Sequence, residues 1–175
     1  MNRTNGQRPH ILIAGMGNVL RGDDGFGVEA ARRLKDTADL PPSVTVVDVG
    51  IGGIHLVHEL LAPRKYDALV VVDTVQHDGP PGKIYMLEAE VADLDELSEL
   101  ARRDFLADMH YTIPSRALIL AKALGVLPQK TFIVGCKPDV DDDFEIGLSQ
   151  PVADAVEEAV VRVTALVNEL VEKAK

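Results

Sequence analysis

Three short apolar runs, HILIAGMG at residues 10–17, VTVVDVG at 44–50 and DALVVVD at 67–73, are rich in β-branched residues and bounded by glycine and aspartate. Runs of this length, apolar throughout, suit strands covered on both faces, as in a parallel sheet. KIYMLEA at 83–89 follows a PPG turn and reads as a fourth strand, and TFIVGC at 131–136 as a fifth. Between them the apolar spacing turns helical. Phe26, Ala30 and Leu34 share one face of a helix over 25–38, and Ile54, Val57 and Leu61 do so over 53–61. Further helices are expected over 95–105 and 114–124. A closing helix over 151–173 spaces Val152, Val156, Ala159, Val163, Leu166 and Leu170 at helical intervals.

Strands alternating with helices predict a three-layer α/β/α sandwich around a mostly parallel, twisted sheet of about five strands. The PPG turn suggests that one strand runs antiparallel. With 175 residues the chain reads as a single domain spanning 1–175. No run approaches the eighteen or so apolar residues of a membrane span, and MNRTNGQRPH lacks a signal-peptide apolar segment, so no membrane association and a cytoplasmic location are expected. A lone cysteine, Cys136, suits a reducing compartment. The net charge of −10, with no basic patch, argues against a nucleic-acid partner. Nothing in the sequence sets an oligomeric state.

The segment GMGNVLRGDDGFGVEAARRL, residues 15–34, carries a glycine-rich turn from the first strand into a helix. Such turns commonly cradle phosphate, yet the third glycine of a dinucleotide fingerprint is replaced by Leu20. The lysine and hydroxyl positions of a phosphate loop hold Asp23 and Asp24. Two carboxylates repel a phosphate. Capping the helix accounts for one of them. Gly25 and Gly27, costly in a first helical turn, point to tight packing or to close approach of another chain.

In a sheet that begins 2-1-3, ligands bind outside the carboxyl ends of strands one and three. Asp24 follows the first and Asp73 ends the third, so the two carboxylates are expected to face one crevice and attract a cation. A histidine would complete the set. His10 precedes strand one at the opposite end, and His55 and His58 read as solvated; His77 and His110 remain candidates. The acidic loop KPDVDDDFE lacks the glycine and glutamate of a calcium loop and reads as solvated. Cys136 reads as a small apolar core residue rather than a nucleophile.

Taken together these segments resemble the nickel-iron hydrogenase maturation endopeptidases, which remove a C-terminal extension from the hydrogenase large-subunit precursor after its nickel is installed. The likeness runs over most of the chain. GMGNVLRGDDGFGVEAARRL is similar to the family's opening motif, VDVGIGG to its second turn, VVVDTVQHDGPPG and DMHYTIPSRAL to its ligand segments, and GLSQPV to the stretch before its last helix. Val49, Ile51 and Met109 depart from the usual residues. The resemblance implies Asp24, Asp73 and His110 as catalytic and metal-ligating residues. It also implies nickel, borne by the substrate, as the metal; zinc or another divalent ion suits the same ligands. The partner implied is the large-subunit precursor, and Asp23 and His77 are candidates for a general base. The rival expectation is a non-catalytic nickel-binding or nickel-sensing module built from the same triad.

Overall fold

A computed structural model describes residues 8–37, 39–99, 114–139 and 146–173. The strands are β1 (Ile11–Met16), β2 (Val44–Gly50), β3 (Ala68–Thr74), β4 (Ile84–Glu88) and β5 (Lys130–Cys136). The helices are α1 (Phe26–Thr37), α2 (Gly53–Leu61), α3 (Pro114–Ala123) and α4 (Gln150–Glu172). One sheet takes all five strands in the order β2-β1-β3-β5-β4. Every pairing is parallel except β4 with β5. The expected sandwich and its single antiparallel strand are therefore present.

Side chains alternate across the sheet with a period of two, and each face has its own core. On one face Ile11, Ile13, Val70 and Val72 pack against Phe26 and Leu34 of α1 and Val163 and Val167 of α4. On the other, Leu12, Ala14, Leu69 and Val71 meet Leu56 and Leu60 of α2 and Leu118 of α3. β1 and β3 are buried along both faces, which is why they read as unbroken apolar runs. Each fully buried aliphatic side chain contributes roughly 1.5–3 kcal/mol. Among the described residues no helix is long and apolar enough to cross a membrane.

Two helix boundaries differ from expectation. The first helix is split: Gly22–Gly25 forms a 3₁₀ turn, and regular α-helix starts at Phe26. In the described part of the helix expected over 95–105, Leu94–Glu96 forms a 3₁₀ turn, Leu97 is extended and Glu99 is helical. Asp93 and Glu96 close that turn as a capping box, with the Glu96 carboxylate accepting the Asp93 N–H. Residues 100–105 lie outside the described residues. Gly25 and Gly27 are both buried, and they answer to internal packing rather than to another chain. A Cβ on Gly27 would drive into the carbonyl oxygens of Val72 and Met16, and one on Gly25 would crowd Val19. The start of α1 thus lies directly on the ends of β1 and β3, where no larger residue fits.

Candidate active site

β1 and β3 are neighbours, and both end at the same edge of the sheet. Past Met16 the chain turns at Gly17, whose φ of 125° is a region side-chain-bearing residues avoid. The Gly17 N–H donates to the carbonyl of Gly50 at 3.1 Å, tying the turn to the end of β2. From there the turn folds onto itself. The Asn18 N–H is shared between the backbone oxygen and the Oδ2 of Asp24, at 3.1 and 3.0 Å. The Asp24 N–H donates to Arg21 at 3.1 Å, and the Asn18 side chain accepts the Leu20 N–H at 2.9 Å. A side chain on Gly17 would collide with the Asp24 carbonyl and reach to within 3.7 Å of Asp73 Oδ1. The glycine is therefore what lets the two aspartates converge.

Asp73 is the next-to-last residue of β3 and is 7% exposed. One of its carboxylate oxygens accepts the N–H of its own neighbour Thr74 at 2.7 Å. Burial, aided by the nearby Asp24 charge and opposed by the Thr74 N–H, pushes its carboxyl from 3.8 up to about 7. Asp24 is also raised, by burial, against the pull of the Asn18 N–H and the Arg21 charge. The ionised form of both carboxyls is disfavoured by burial and would gain from a positive charge placed between them.

Asp24 and Asp73 thus converge as expected, while His110, the third expected ligand, lies outside the described residues. Among the described residues, no three His, Cys, Asp or Glu side chains form a metal-holding group. The pair's chemistry fits a divalent ion: oxygen donors, two potential negative charges and, among the described residues, no cation that holds Asp73 ionised.

The other candidates are placed elsewhere. His10 sits before β1, with its N–H on Asp67 Oδ2 at 2.8 Å. His55 and His58 are exposed on α2, as expected of solvated residues. His77 is exposed and stacks on Tyr85 of β4, ring centroids 4.1 Å apart. β4 lies two strands from β3, so His77 leads away from the crevice, and its candidacy as general base is not supported. Asp23 fails as a base for another reason. It is 3% exposed, and its carboxylate accepts the N–H groups of Asp139 and Ser149 and the Ser149 hydroxyl at 2.7–2.9 Å. Sequence reasoning missed this, because the partners stand more than a hundred positions away. Cys136 is fully buried, and its thiol is pushed up to about 12 by burial and by the charges of Asp23 and Glu158. It remains a thiol at neutral pH and is no nucleophile. Asp139 is exposed, whereas Asp141 and Asp143 of the acidic loop lie outside the described residues.

Beside the Asp24 turn a groove of about 620 Å³ opens between α1 and α4, walled by Val19, Leu20, Leu148 and Val156. Leu20 is 56% exposed at its lip. The hydrogenase maturation protease family model matches residues 28–166, a span that includes Asp73 and His110 and starts just after Asp24. The chain belongs to the hydrogenase maturation protease family. The hydrogenase expression/formation protein HoxM of Cupriavidus necator is 31% identical over 154 residues, covering 86% of this chain and 70% of that one. A putative hydrogenase maturation protease of Methanocaldococcus jannaschii is 33% identical over 156 residues, covering 88% and 94%. Among solved structures, the hydrogenase maturating endopeptidase HybD from E. coli superposes with a TM-score of 0.70 at 26% identity, covering 91% of this chain and 93% of that one. The protein is accordingly a protease, an endopeptidase of hydrogenase maturation, on the α/β fold these relatives share. Nothing favours a non-catalytic module.

Proposed function

We propose that this endopeptidase removes the C-terminal extension of a nickel-iron hydrogenase large-subunit precursor after nickel insertion, and that Asp24, Asp73 and His110 recognise the nickel the precursor carries. The observation that carries the reading is Asp73: a carboxyl buried beside a second carboxylate and raised to about 7. Isolated, that arrangement is unfavourable. A dication borne by the substrate relieves it, so part of the precursor's binding energy exists only when nickel is present. Each ~1.4 kcal/mol of that difference amounts to tenfold discrimination between loaded and unloaded precursor.

In this reading the enzyme's own groups orient the loaded precursor. The Asn18 N–H holds Asp24, the Thr74 N–H holds Asp73, and the Gly17 turn keeps the space between them open to the substrate. The groove between α1 and α4 adjoins the same turn and gives apolar side chains of the substrate a place to lie. Hydrolysis places the water oxygen on the scissile carbonyl carbon and its proton on the leaving nitrogen. A cytoplasmic site of action, where precursors are made, agrees with the reading. The test is to offer purified nickel-loaded and nickel-free precursors side by side and follow loss of the extension by mass spectrometry. Cleavage of the loaded form alone is expected; equal cleavage of both without added metal overturns substrate-borne nickel. Restoration of cleavage of the nickel-free form by zinc supplied to the enzyme would instead favour an enzyme-held metal.

A further inference from the structure

Asp23 and Asp24 are adjacent in sequence, and their carboxylates are bonded to different parts of the fold. Asp24 is bonded within its own turn, to Asn18 and Arg21. Asp23 reaches across the fold. Its Oδ1 accepts the Ser149 N–H at 2.7 Å, and its Oδ2 accepts the Asp139 N–H at 2.8 Å and the Ser149 hydroxyl at 2.9 Å. Ser149 is the N-cap of α4, and Asp139 follows β5. One buried carboxylate therefore joins the turn after β1 to both the exit of β5 and the start of α4. All three partners are donors, which only an acceptor on both oxygens satisfies.

We propose that Asp23 is a positioning residue for the reaction: by tying the Asp24 turn to Asp139 and Ser149, it fixes where the Asp24 carboxylate stands relative to Asp73. This rests on the reading of Asp24 and Asp73 as nickel-recognising residues. The geometry argues against a mere helix cap. A cap serves the helix that follows it, whereas Asp23 makes no side-chain cap on its own turn and instead caps the start of α4, 126 residues away. The peptide joining Asp23 to Asp24 is held from both directions, by α4 and β5 on one side and by Asn18 on the other. Loss of the distant hold frees the Asp24 backbone to rotate about the near one. Groups that orient ligands in this way change metal affinity by roughly ten- to a hundredfold when removed.

The experiment measures nickel-ion affinity by calorimetry, well below the unfolding temperature, for wild type, Asp23→Asn, Ser149→Ala and Ser149→Thr. Asn keeps the shape of Asp but turns an NH₂ toward at least one donor. The expected result for Asp23→Asn is a ten- to hundredfold weaker nickel affinity with a folded far-ultraviolet circular dichroism spectrum. Ser149→Ala, which deletes one of the three donors, should lose a smaller factor, about threefold or more, and Ser149→Thr, which restores the hydroxyl, should recover it. Should Asp23→Asn fail to fold, the Ser149 pair decides. Wild-type nickel affinity in folded Asp23→Asn, or in Ser149→Ala if the former does not fold, overturns the proposal, whatever happens to thermal stability. Asp24→Asn and Asp73→Asn separate the two levels: if they too bind nickel normally, the ligand reading itself has failed. If they lose nickel while the Asp23 and Ser149 variants keep it, only the positioning role has failed.

Discussion

β1 and β3 lie side by side, and at each end of the pair the chain sets an aspartate, with opposite treatment. At the entry, Asp67 and His10 clasp each other: the His10 N–H donates to the Asp67 carboxylate at 2.8 Å, and the Asp67 N–H returns a bond to the His10 carbonyl at 2.7 Å. At the exit, Asp73 is more deeply buried, accepts a bond from the adjacent Thr74, and faces Asp24, a like charge. The entry carboxylate closes the fold. The exit carboxylate strains it, and under the proposed function that strain is held where the cation-bearing substrate would arrive. Burial separates the two ends first, and the charge beside each carboxyl adds to the difference.

The largest expected effect tests the exit end. Asp73→Asn should weaken nickel-ion binding by at least about a hundredfold and reduce cleavage to a similar degree, while the metal-free protein gains stability at pH 7. A variant that loses both nickel and stability would break the comparison, since Asp73 would then behave as Asp67 does.

The gain should depend on pH, in a direction the raised carboxyl dictates. The folded state holds the Asp73 proton up to about pH 7, whereas the unfolded chain releases it near 3.8. Its contribution is therefore fully present below about pH 4 and is lost as pH rises toward 7. The loss reaches roughly 4 kcal/mol at most, taking 1.36 kcal/mol per pKa unit. Asp73→Asn removes this slope. Denaturant titrations of metal-free wild type and variant from pH 4 to 8 should diverge steadily up to about pH 7, and parallel curves would sink the assignment of strain to Asp73.

At the entry end Asp67→Ala should do the reverse, costing about 1–3 kcal/mol because the His10 N–H loses its acceptor. Nickel affinity and cleavage by the folded fraction should stay at wild-type level. Loss of nickel binding there would mean that the two ends are coupled along the strands. The smallest effect belongs to Cys136→Ser, which should leave cleavage within about twofold, since a thiol pushed up to about 12 supplies no thiolate. Abolished turnover in a folded Cys136→Ser protein would move the chemistry away from the aspartates.

Much of this was legible beforehand. The apolar runs at 11–16 and 68–74 predicted two-faced strands, and the spacing of Phe26, Ala30 and Leu34 predicted the buried face of α1. The doubly wound order then placed Asp24 and Asp73 at one crevice, as the turn at Gly17 now explains. Gly25 and Gly27 were legible as anomalies that tight packing or another chain would explain, but the packing partners were not. Their reason is contact with Val19, Val72 and Met16, and β3 lies far along the chain from α1. The 3₁₀ turn at Leu94–Glu96 was not foreseen, because apolar spacing registers neither the Asp93–Glu96 capping box that closes it nor the extended Leu97 that ends it.

By itself the sequence determined the elements, their alternation and the family, because periodicity, turn residues and motif spacing are local properties that survive in one dimension. It placed acidic residues at the ends of β1 and β3, and the family likeness singled out Asp24 while leaving Asp23 as a candidate base. Only the tertiary structure showed what Asp23 is bonded to. A carboxylate's character depends on which donors and charges fold brings beside it and on how much water packing removes. Asp23 meets three donors from Asp139 and Ser149, while Asp73 is stripped of water, with Thr74 as donor and the Asp24 charge nearby. Those neighbours come from distant positions, and desolvation is a property of the packed whole.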